Sequence, residues 1–158
     1  MQTIAVSPDH PKLAVADNVL FDKTEKKLIC YPAGLDAANY EIPQGITAVG
    51  DSAFSFCHSL TSVTLPDSVT TIGDFAFSSC DSLTGITLPD GVTSIGNSAF
   101  YSCGSLTSAV IPDGVTSIGK DAFDDCADNL ALTVGQNSYA MQYAIDNDIH
   151  YICPDTNN

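Results

Sequence analysis

The chain has 158 residues, of which 44% are hydrophobic, as expected for one globular domain. Its 19 acidic side chains face five lysines and no arginine, which gives a formal net charge of −14. This charge repels phosphate backbones and anionic lipid headgroups, so we expect no nucleic acid partner and no membrane insertion. The longest apolar runs are also far shorter than the ~18 residues of a membrane-spanning helix.

The chain begins with what looks like half of a repeat. Met1, Ile4 and Val6 have the spacing of an apolar strand that recurs later, and Pro8 follows closely, as proline does in the later copies. A solenoid that starts inside a coil has an uncapped end. We therefore expect a segment of a longer protein, with any export signal upstream, and we expect end-to-end self-association to be possible.

An irregular stretch comes next and leads into a predicted hairpin. Two β-prone runs, 18–21 and 27–31, flank the polar residues 22–26. Two such runs around a short polar turn are typical of a β-hairpin. Together with the half-coil, this hairpin forms a predicted N-terminal cap region over residues 1–41.

Residues 42–130 contain four copies of a 23-residue unit. A fixed period in this range predicts a solenoid, in which each coil buries its apolar side against its neighbours. We expect the phenylalanine and cysteine columns to form the core. The residues that superpose are Pro43, Pro66, Pro89 and Pro112; Gly50, Gly73, Gly96 and Gly119; Phe54, Phe77, Phe100 and Phe123; and Cys57, Cys80, Cys103 and Cys126.

Each unit divides into three parts. Leu-x-x-Ile-x-Leu-Pro predicts a strand that proline ends, because proline cannot donate to a ladder. Val-Thr-x-Ile-Gly predicts a second short strand closed by a glycine suited to a turn. Ala-Phe-x-x-Cys predicts a tight turn or a single helical turn that packs inward. Three sides make a flattened triangular coil, with neighbouring coils about 4.8 Å apart.

The period slips by one residue after Cys126, and the run 130–134 is predicted to be the last strand of the ladder. Ser138 is a suitable N-cap for a short helix that we expect to end near Asn147, and a final strand follows it. Residues 131–158 are therefore predicted to form a C-terminal cap with a frayed tail.

The three motifs together resemble the hallmark of the BspA-like (Treponema-type) leucine-rich repeats. The resemblance covers nearly the whole chain, because the hairpin and the closing segment also look like the ends of such arrays. It implies a leucine-rich-repeat solenoid of the α/β horseshoe class, predominantly β with short helical turns, in right-handed coils of 23 residues. It also implies a secreted or cell-surface bacterial protein of a kind often linked to adhesion. It brings no catalytic residue and no ligand, because fold does not fix function.

The cysteine column has the wrong geometry for a metal site. Cys57 and Cys126 would stand about 15 Å apart on a ladder of ~4.8 Å steps, whereas zinc ligands lie about 2.3 Å from one metal ion. Stacked side chains point in parallel, which disfavours disulfides. We expect free, buried thiols, solvated aspartates beside the prolines rather than a calcium site, and no cofactor. The isolated histidines form no catalytic arrangement, so we expect no enzyme.

The outward positions of the first strand are the predicted binding face, since solenoids commonly present such a surface to partners. The face is small and hydroxylated, without the Trp, Tyr or Arg anchors of binding hot spots. His58 and Tyr101, at variable turn positions, are candidate additions, and a second Thr/Ser row is interpreted as β-forming residues on a wet face. The candidate binding residues are Asn39, Glu41, Ser62, Thr64, Gly85, Thr87, Ser108 and Val110.

Two functions fit this pattern. The first is a non-enzymatic extracellular module that binds a protein or glycan partner, as in adhesion. The alternative is a structural spacer that projects another domain and has no ligand of its own. A third hypothesis, an enzyme or an ice-like binding surface based on the threonine rows, lacks any catalytic set.

Overall fold

The structure is a computed structural model that describes residues 4–154. In this part of the chain, stacked coils contain 13 short strands and one helix. Met1 of the predicted half-coil and the predicted frayed tail beyond Pro154 lie outside the described residues. Ile4 and Val6 are described and belong to no strand, so the ordered ladder starts later than the sequence pattern indicates.

The N-terminal region is an antiparallel meander of three strands. β2 (Val19–Asp22) and β3 (Lys27–Cys30) form the predicted hairpin. An additional strand, β1 (Leu13–Ala16), precedes them and pairs with β2. The turn between β1 and β2 has positive φ at both Asp17 (49°) and Asn18 (65°). Two-residue hairpin turns require this geometry and favour Asn and Asp. The Asp17-Asn18 pair is therefore the feature of the sequence from which a turn after β1 could have been predicted.

One side of the solenoid is a parallel ladder that continues from β3. Each of its strands is a two-residue piece of the Val-Thr-x-Ile-Gly motif, and β3 joins them to the meander in a seven-stranded sheet. These strands are β5 (Ala48–Val49), β7 (Thr71–Ile72), β9 (Ser94–Ile95) and β11 (Ser117–Ile118). The threonine before each strand reinforces the ladder. Thr70, for example, donates both its N–H (2.8 Å) and its Oγ1 hydroxyl (3.1 Å) to the carbonyl oxygen of Thr47.

A second side carries the predicted binding face. Its strands are β4 (Asn39–Glu41), β6 (Ser62–Thr64), β8 (Gly85–Thr87), β10 (Ser108–Val110), β12 (Ala131–Thr133) and β13 (His150–Ile152). They divide into two sheets, because β4 pairs only with β6, while the other four strands form a separate parallel ladder. The gap lies between β6 and β8.

The third side consists of turns, with no helical turn in the repeats. These turns are hydrogen bonded from coil to coil: the N–H of Phe54 donates to the carbonyl of Ala76, and the N–H of Phe77 to that of Ala99, both at 2.7 Å. The third side therefore satisfies its backbone polar groups between coils, as the two strand sides do.

The core is a column of parallel phenylalanine rings. Successive centroids lie 4.9, 5.2 and 5.0 Å apart, with interplanar angles of 6°, 2° and 7°. This spacing matches the distance of about 4.8 Å between paired strands. Tyr31 stacks on one end of the column at 5.2 Å, and Tyr143 meets the other end edge-on at 6.3 Å. The column rings are Phe54, Phe77, Phe100 and Phe123.

The helix α1 (Tyr139–Asp146) has the predicted caps. Ser138 accepts a hydrogen bond from the N–H of Met141 (3.1 Å), and Asn147 is the C-cap. The prediction that 130–134 holds the last ladder strand is wrong, because β13 pairs in parallel with β12. The helix replaces the usual coil as the connection between β12 and β13, so the ladder continues by one strand.

The glycine that closes each short strand is required by close approach rather than by a turn conformation. A Cβ on Gly96 would lie 2.5 Å from both the backbone nitrogen and Oδ1 of Asp74. Asp74 holds this position because its Oδ1 accepts the N–H of Asn97 (2.7 Å). The same bond joins Asp51 to Asp74 and Asn97 to Lys120. A ladder of side chains thus runs against the glycine column.

We expect Phe77→Ala to lower the free energy of unfolding by about 3–5 kcal/mol, because it removes a ring from the middle of the column. Phe75→Ala is the matched control: Phe75 lies on the same turn but is 47% exposed, whereas Phe77 is fully buried. The Phe75→Ala variant should change the free energy of unfolding by no more than about 0.5 kcal/mol. Urea denaturation followed by circular dichroism measures both, and equal losses would contradict the assignment of the column as the core.

We expect Gly96→Ala to destabilise the fold by about 1–3 kcal/mol, the usual cost of forcing an extra methyl group into filled space. Gly104→Ala, in the same coil, is the control, since a Cβ there meets nothing within 4 Å. Thermal denaturation of the two variants should separate them clearly. A Gly96→Ala variant as stable as the control would show that the side-chain ladder is not tightly packed.

Candidate functional site

The binding-face side opens where β6 and β8 diverge. Between β8 and β10, hydrogen bonds close both ends of the strand pair: Thr107 N–H donates to the carbonyl of Thr84, and Leu88 N–H to that of Val110, both at 3.0 Å. Between β6 and β8 the first bond has a counterpart, from Thr84 N–H to Thr61 at 3.2 Å. The second bond, which here would join the N–H of Leu65 to the carbonyl of Thr87, is absent between these two described strands. The strands therefore separate toward their C-terminal ends.

This divergence forms a cleft with a volume of about 400 Å³. Leu65 and Thr87 line it, and the N–H of Leu65 and the carbonyl of Thr87 are the groups that a continued ladder would have joined. The volume is within the range of small-molecule and side-chain sites. The lining residues are Ser62, Val63, Thr64, Leu65, Asp67, Gly85, Ile86, Thr87, Pro89 and Ser108.

A glycine accounts for the position of the gap. Between β4 and β6, the Ser62 hydroxyl donates to Asn39 Oδ1 at 2.7 Å and ties the two strands together. The strand β8 begins with Gly85, which has no side chain to make the equivalent contact with Ser62. On the other side of Gly85, a Cβ would lie 2.8 Å from Ser108 Oγ. Glycine inside a strand weakens pairing and allows close approach, and both effects are seen here.

The structure brings much of the predicted binding face together around this cleft. Asn39 and Glu41 lie on β4, and Val110 lies on β10, so these three share the side of the solenoid but do not line the cleft. Sequence reasoning missed the cleft and also Asp67 as a lining residue. The available signal was Gly85, because Asn, Ser, Ala or His stands at the same strand register in the other coils. The predicted residues that line the cleft are Ser62, Thr64, Gly85, Thr87 and Ser108.

The threonines of the cleft differ from the other threonines of the solenoid. Thr84 Oγ1 and Thr107 Oγ1 donate to carbonyl oxygens of the preceding coil, at 3.4 and 3.2 Å. Those hydroxyls are used by the scaffold. Among the described residues, the hydroxyls of the exposed Thr64 and Thr87 make no hydrogen bond. They are therefore available to a ligand, beside the carboxylate of Asp67.

The family of the chain follows from this repeat. The model of the BspA type leucine-rich repeat region matches residues 30–151 with six copies. The chain belongs to the BspA-type leucine-rich repeat family. The match extends beyond the four units counted from the sequence, to the end of β3 on one side and into β13 on the other. The ladder continues through both strands, and Tyr31 and Tyr143 extend the ring column at its two ends.

Solved bacterial repeat proteins have the same fold. A leucine-rich cell surface protein of Faecalibacterium prausnitzii is 26% identical, with a TM-score of 0.63 over 87% of this chain and 43% of its own. A leucine-rich repeat protein of Eubacterium ventriosum is 26% identical (TM-score 0.70; 85% and 42%). The leucine-rich repeat protein of T. pallidum is 28% identical (TM-score 0.57; 75% and 67%). No curated protein sequence matches significantly. The chain spans less than half the length of the first two proteins.

The cysteines of this BspA-type chain are free thiols in the described structure. Cys80 Sγ donates to the carbonyl of Phe54 at 3.1 Å, and Cys103 and Cys126 repeat this bond one and two coils later. Burial raises the pKa of Cys80 to about 12 and also raises the pKa of Cys57. A thiol with a raised pKa stays protonated at neutral pH and is a poor nucleophile.

The two candidate additions lie on the turn side, away from the cleft. His58 Nδ1 is 2.7 Å from Asp81 Oδ2, and both side chains are exposed. A hydrogen bond with Asp125 raises the pKa of Tyr101. Cys57, beside His58 in sequence, points toward the carbonyl of Tyr31 at 3.8 Å, so it forms no dyad with the histidine. His58 and Tyr101 each thus contact an aspartate of the next coil.

Metal clusters and membrane-spanning helices are both absent from the described part of the chain. Residues 4–154 contain no cluster of three or more His, Cys, Asp or Glu side chains able to hold a metal ion. Their helical structure also lacks the length and apolar character that crossing a bilayer requires.

We expect a thiol reagent such as iodoacetamide to label at most Cys30, Cys126 and Cys153 in the folded protein at pH 8, since these are only half-buried. The other three thiols are buried, and protonated at that pH. All six should react in denaturant. Intact-mass spectrometry counts the adducts, and labelling of a fourth site in the folded protein would contradict the packing of the column.

Proposed function

We propose that this chain is a non-enzymatic, extracellular interaction module, which binds a protein or glycan partner through the strand face around the cleft. The observation that carries the proposal is the division of the sheet between β6 and β8. It exposes unpaired backbone groups beside two hydroxyls that the scaffold does not use.

The chemistry of the cleft favours a polar, hydrogen-bonding ligand. Val63, Leu65 and Ile86 are buried and form its apolar base, while Thr64, Thr87 and the Asp67 carboxylate surround it. Peptide groups and sugar hydroxyls both offer the donors and acceptors that such a surface satisfies. Without aromatic anchors at the cleft, affinity depends on shape and on many small contacts.

A surface location and a role in adhesion are part of this proposal. One similar solved structure is described as a leucine-rich cell surface protein, and the names of the three similar structures include no enzyme. Because the chain covers only part of those proteins, the proposal concerns this repeat segment and not the activity of a whole protein.

We also propose end-to-end association of two copies of the chain as a separate contact. β13 is the last strand of its sheet, and its outer edge is unpaired within the described chain. An open strand edge can pair with another chain. A sedimentation coefficient that rises with protein concentration would support this contact, and a constant monomer value would reject it.

We expect the isolated chain to give saturable binding on an array of host-matrix proteins and glycans, and we expect the double variant Thr64→Lys, Thr87→Lys to abolish it. Two lysines would fill the cleft and remove its hydroxyls. Ser94→Lys with Ser117→Lys is the matched control, because it adds the same charge on β9 and β11 of the other strand side, at serines whose hydroxyls make no hydrogen bond among the described residues. Biolayer interferometry on the array hits measures the affinities. Equal loss in both double variants would contradict the cleft, and silence across the array would favour the spacer.

A further inference from the structure

A second recess lies at the N-terminal end of the solenoid, where the phenylalanine column stops. Its volume is about 370 Å³. It shares no lining residue with the cleft between β6 and β8. We call it the tyrosine recess, and its lining residues are Asp17, Tyr31, Leu35, Asp36, Ala37 and Tyr40.

Two aromatic rings form one wall of the tyrosine recess. Tyr31 stacks on Phe54 with centroids 5.2 Å apart, and Tyr40 meets Tyr31 edge-on at 4.9 Å. The Tyr31 ring occupies the place that the next phenylalanine of the column would take, whereas Tyr40 lies on β4 in register with Val63. Tyrosine rings present a negatively polarised face, to which cations are attracted.

The recess also contains a buried polar group without a partner. Tyr31 is only 3% exposed, and its hydroxyl makes no hydrogen bond to any described residue. Buried hydroxyls in folded proteins are nearly always hydrogen bonded, so an unpartnered one points to a missing group. Tyr31 lines the recess, so its hydroxyl belongs to a side chain that a partner group entering the recess would contact.

All charged side chains that line the recess are acidic. Asp17 and Asp36 are both exposed at the recess, and no lysine lines it. Asp17 and Tyr40 line the recess together, and burial, followed by the charge of Asp17, raises the pKa of Tyr40 to about 12. The recess thus combines carboxylate acceptors, aromatic faces and one unused hydroxyl.

We infer that the tyrosine recess receives an arginine side chain of a protein partner. A guanidinium has five N–H donors and no acceptor, which complements a site of carboxylates and a phenol oxygen. Its flat surface stacks on tyrosine rings, and its fork pairs with a carboxylate through two bonds. The chain itself contains no arginine, so the side chain comes from another molecule. This inference is independent of the binding proposed at the strand face.

The test is an NMR titration with capped single residues. Nα-acetyl-L-arginine amide should shift the ring signals of Tyr31 and Tyr40 and saturate in the millimolar range. Nα-acetyl-L-citrulline amide has nearly the same shape without the charge, and we expect it to bind about tenfold more weakly or not at all. Equal responses to the two compounds, or no saturable shift with arginine, would overturn the inference.

Variants separate the recess from general effects of charge and fold. Asp36→Asn and Tyr40→Leu should each weaken arginine binding about tenfold, while amide spectra outside the recess stay unchanged. Asp148→Asn and Tyr139→Leu are the matched controls, since they alter an exposed aspartate and an exposed tyrosine at the opposite end of the chain. Equal weakening by the control variants would overturn the inference in favour of non-specific attraction to the acidic surface.

Two further variants complete the test. Removal of residues 1–3 should leave the arginine affinity unchanged; binding that appears only after their removal would assign the recess to the protein's own N-terminal segment and overturn the inference. The double variant Thr64→Lys, Thr87→Lys should also retain arginine binding, so that failure at the strand face and failure at the recess give different results.

Discussion

In-register stacking of coils is the constraint on which this structure depends. Each residue lies about 4.8 Å from its equivalent in the next coil, so every position must tolerate a copy of itself as a neighbour. Phenylalanine meets this condition as a parallel stack, with Phe54 and Phe77 at 4.9 Å. Threonine and cysteine meet it by donating to a carbonyl of the preceding coil, as Thr70 and Cys80 do. Asp74 meets it by accepting a neighbouring backbone N–H.

The two sites that we propose for binding lie where this stacking is interrupted. At Gly85 the column of strand side chains has a gap, the sheet divides, and a cleft forms among hydroxyls that the ladder does not use. At Tyr31 the ring column ends, and a tyrosine takes the place of phenylalanine with its hydroxyl unpaired. Constant positions build the scaffold, and both sites that we propose lie at exceptions to the repeat.

The acidity of the chain limits the partners that either site can attract. A net charge of −14 favours association with basic surfaces and is screened by salt. The cleft includes Asp67, and the tyrosine recess includes Asp17 and Asp36. Both candidate sites therefore contain negatively charged side chains, in keeping with the net negative charge of the whole molecule. Of the partners proposed above, a basic protein surface would suit the charge of both sites.

The sequence by itself determined the period, and the period determined the coils, the parallel ladders, the ring column and the free thiols. Local signals were also sufficient for the β2–β3 hairpin and for the Ser138 cap of α1. Three features came from the tertiary structure alone. They are the position at which the sheet divides, the close contacts that leave Gly96 no room for a side chain, and the end of the ring column at Tyr31, beside Asp36. A repeat pattern predicts what neighbouring coils share. These features depend on distances between residues that differ from coil to coil, and only the folded chain sets those distances.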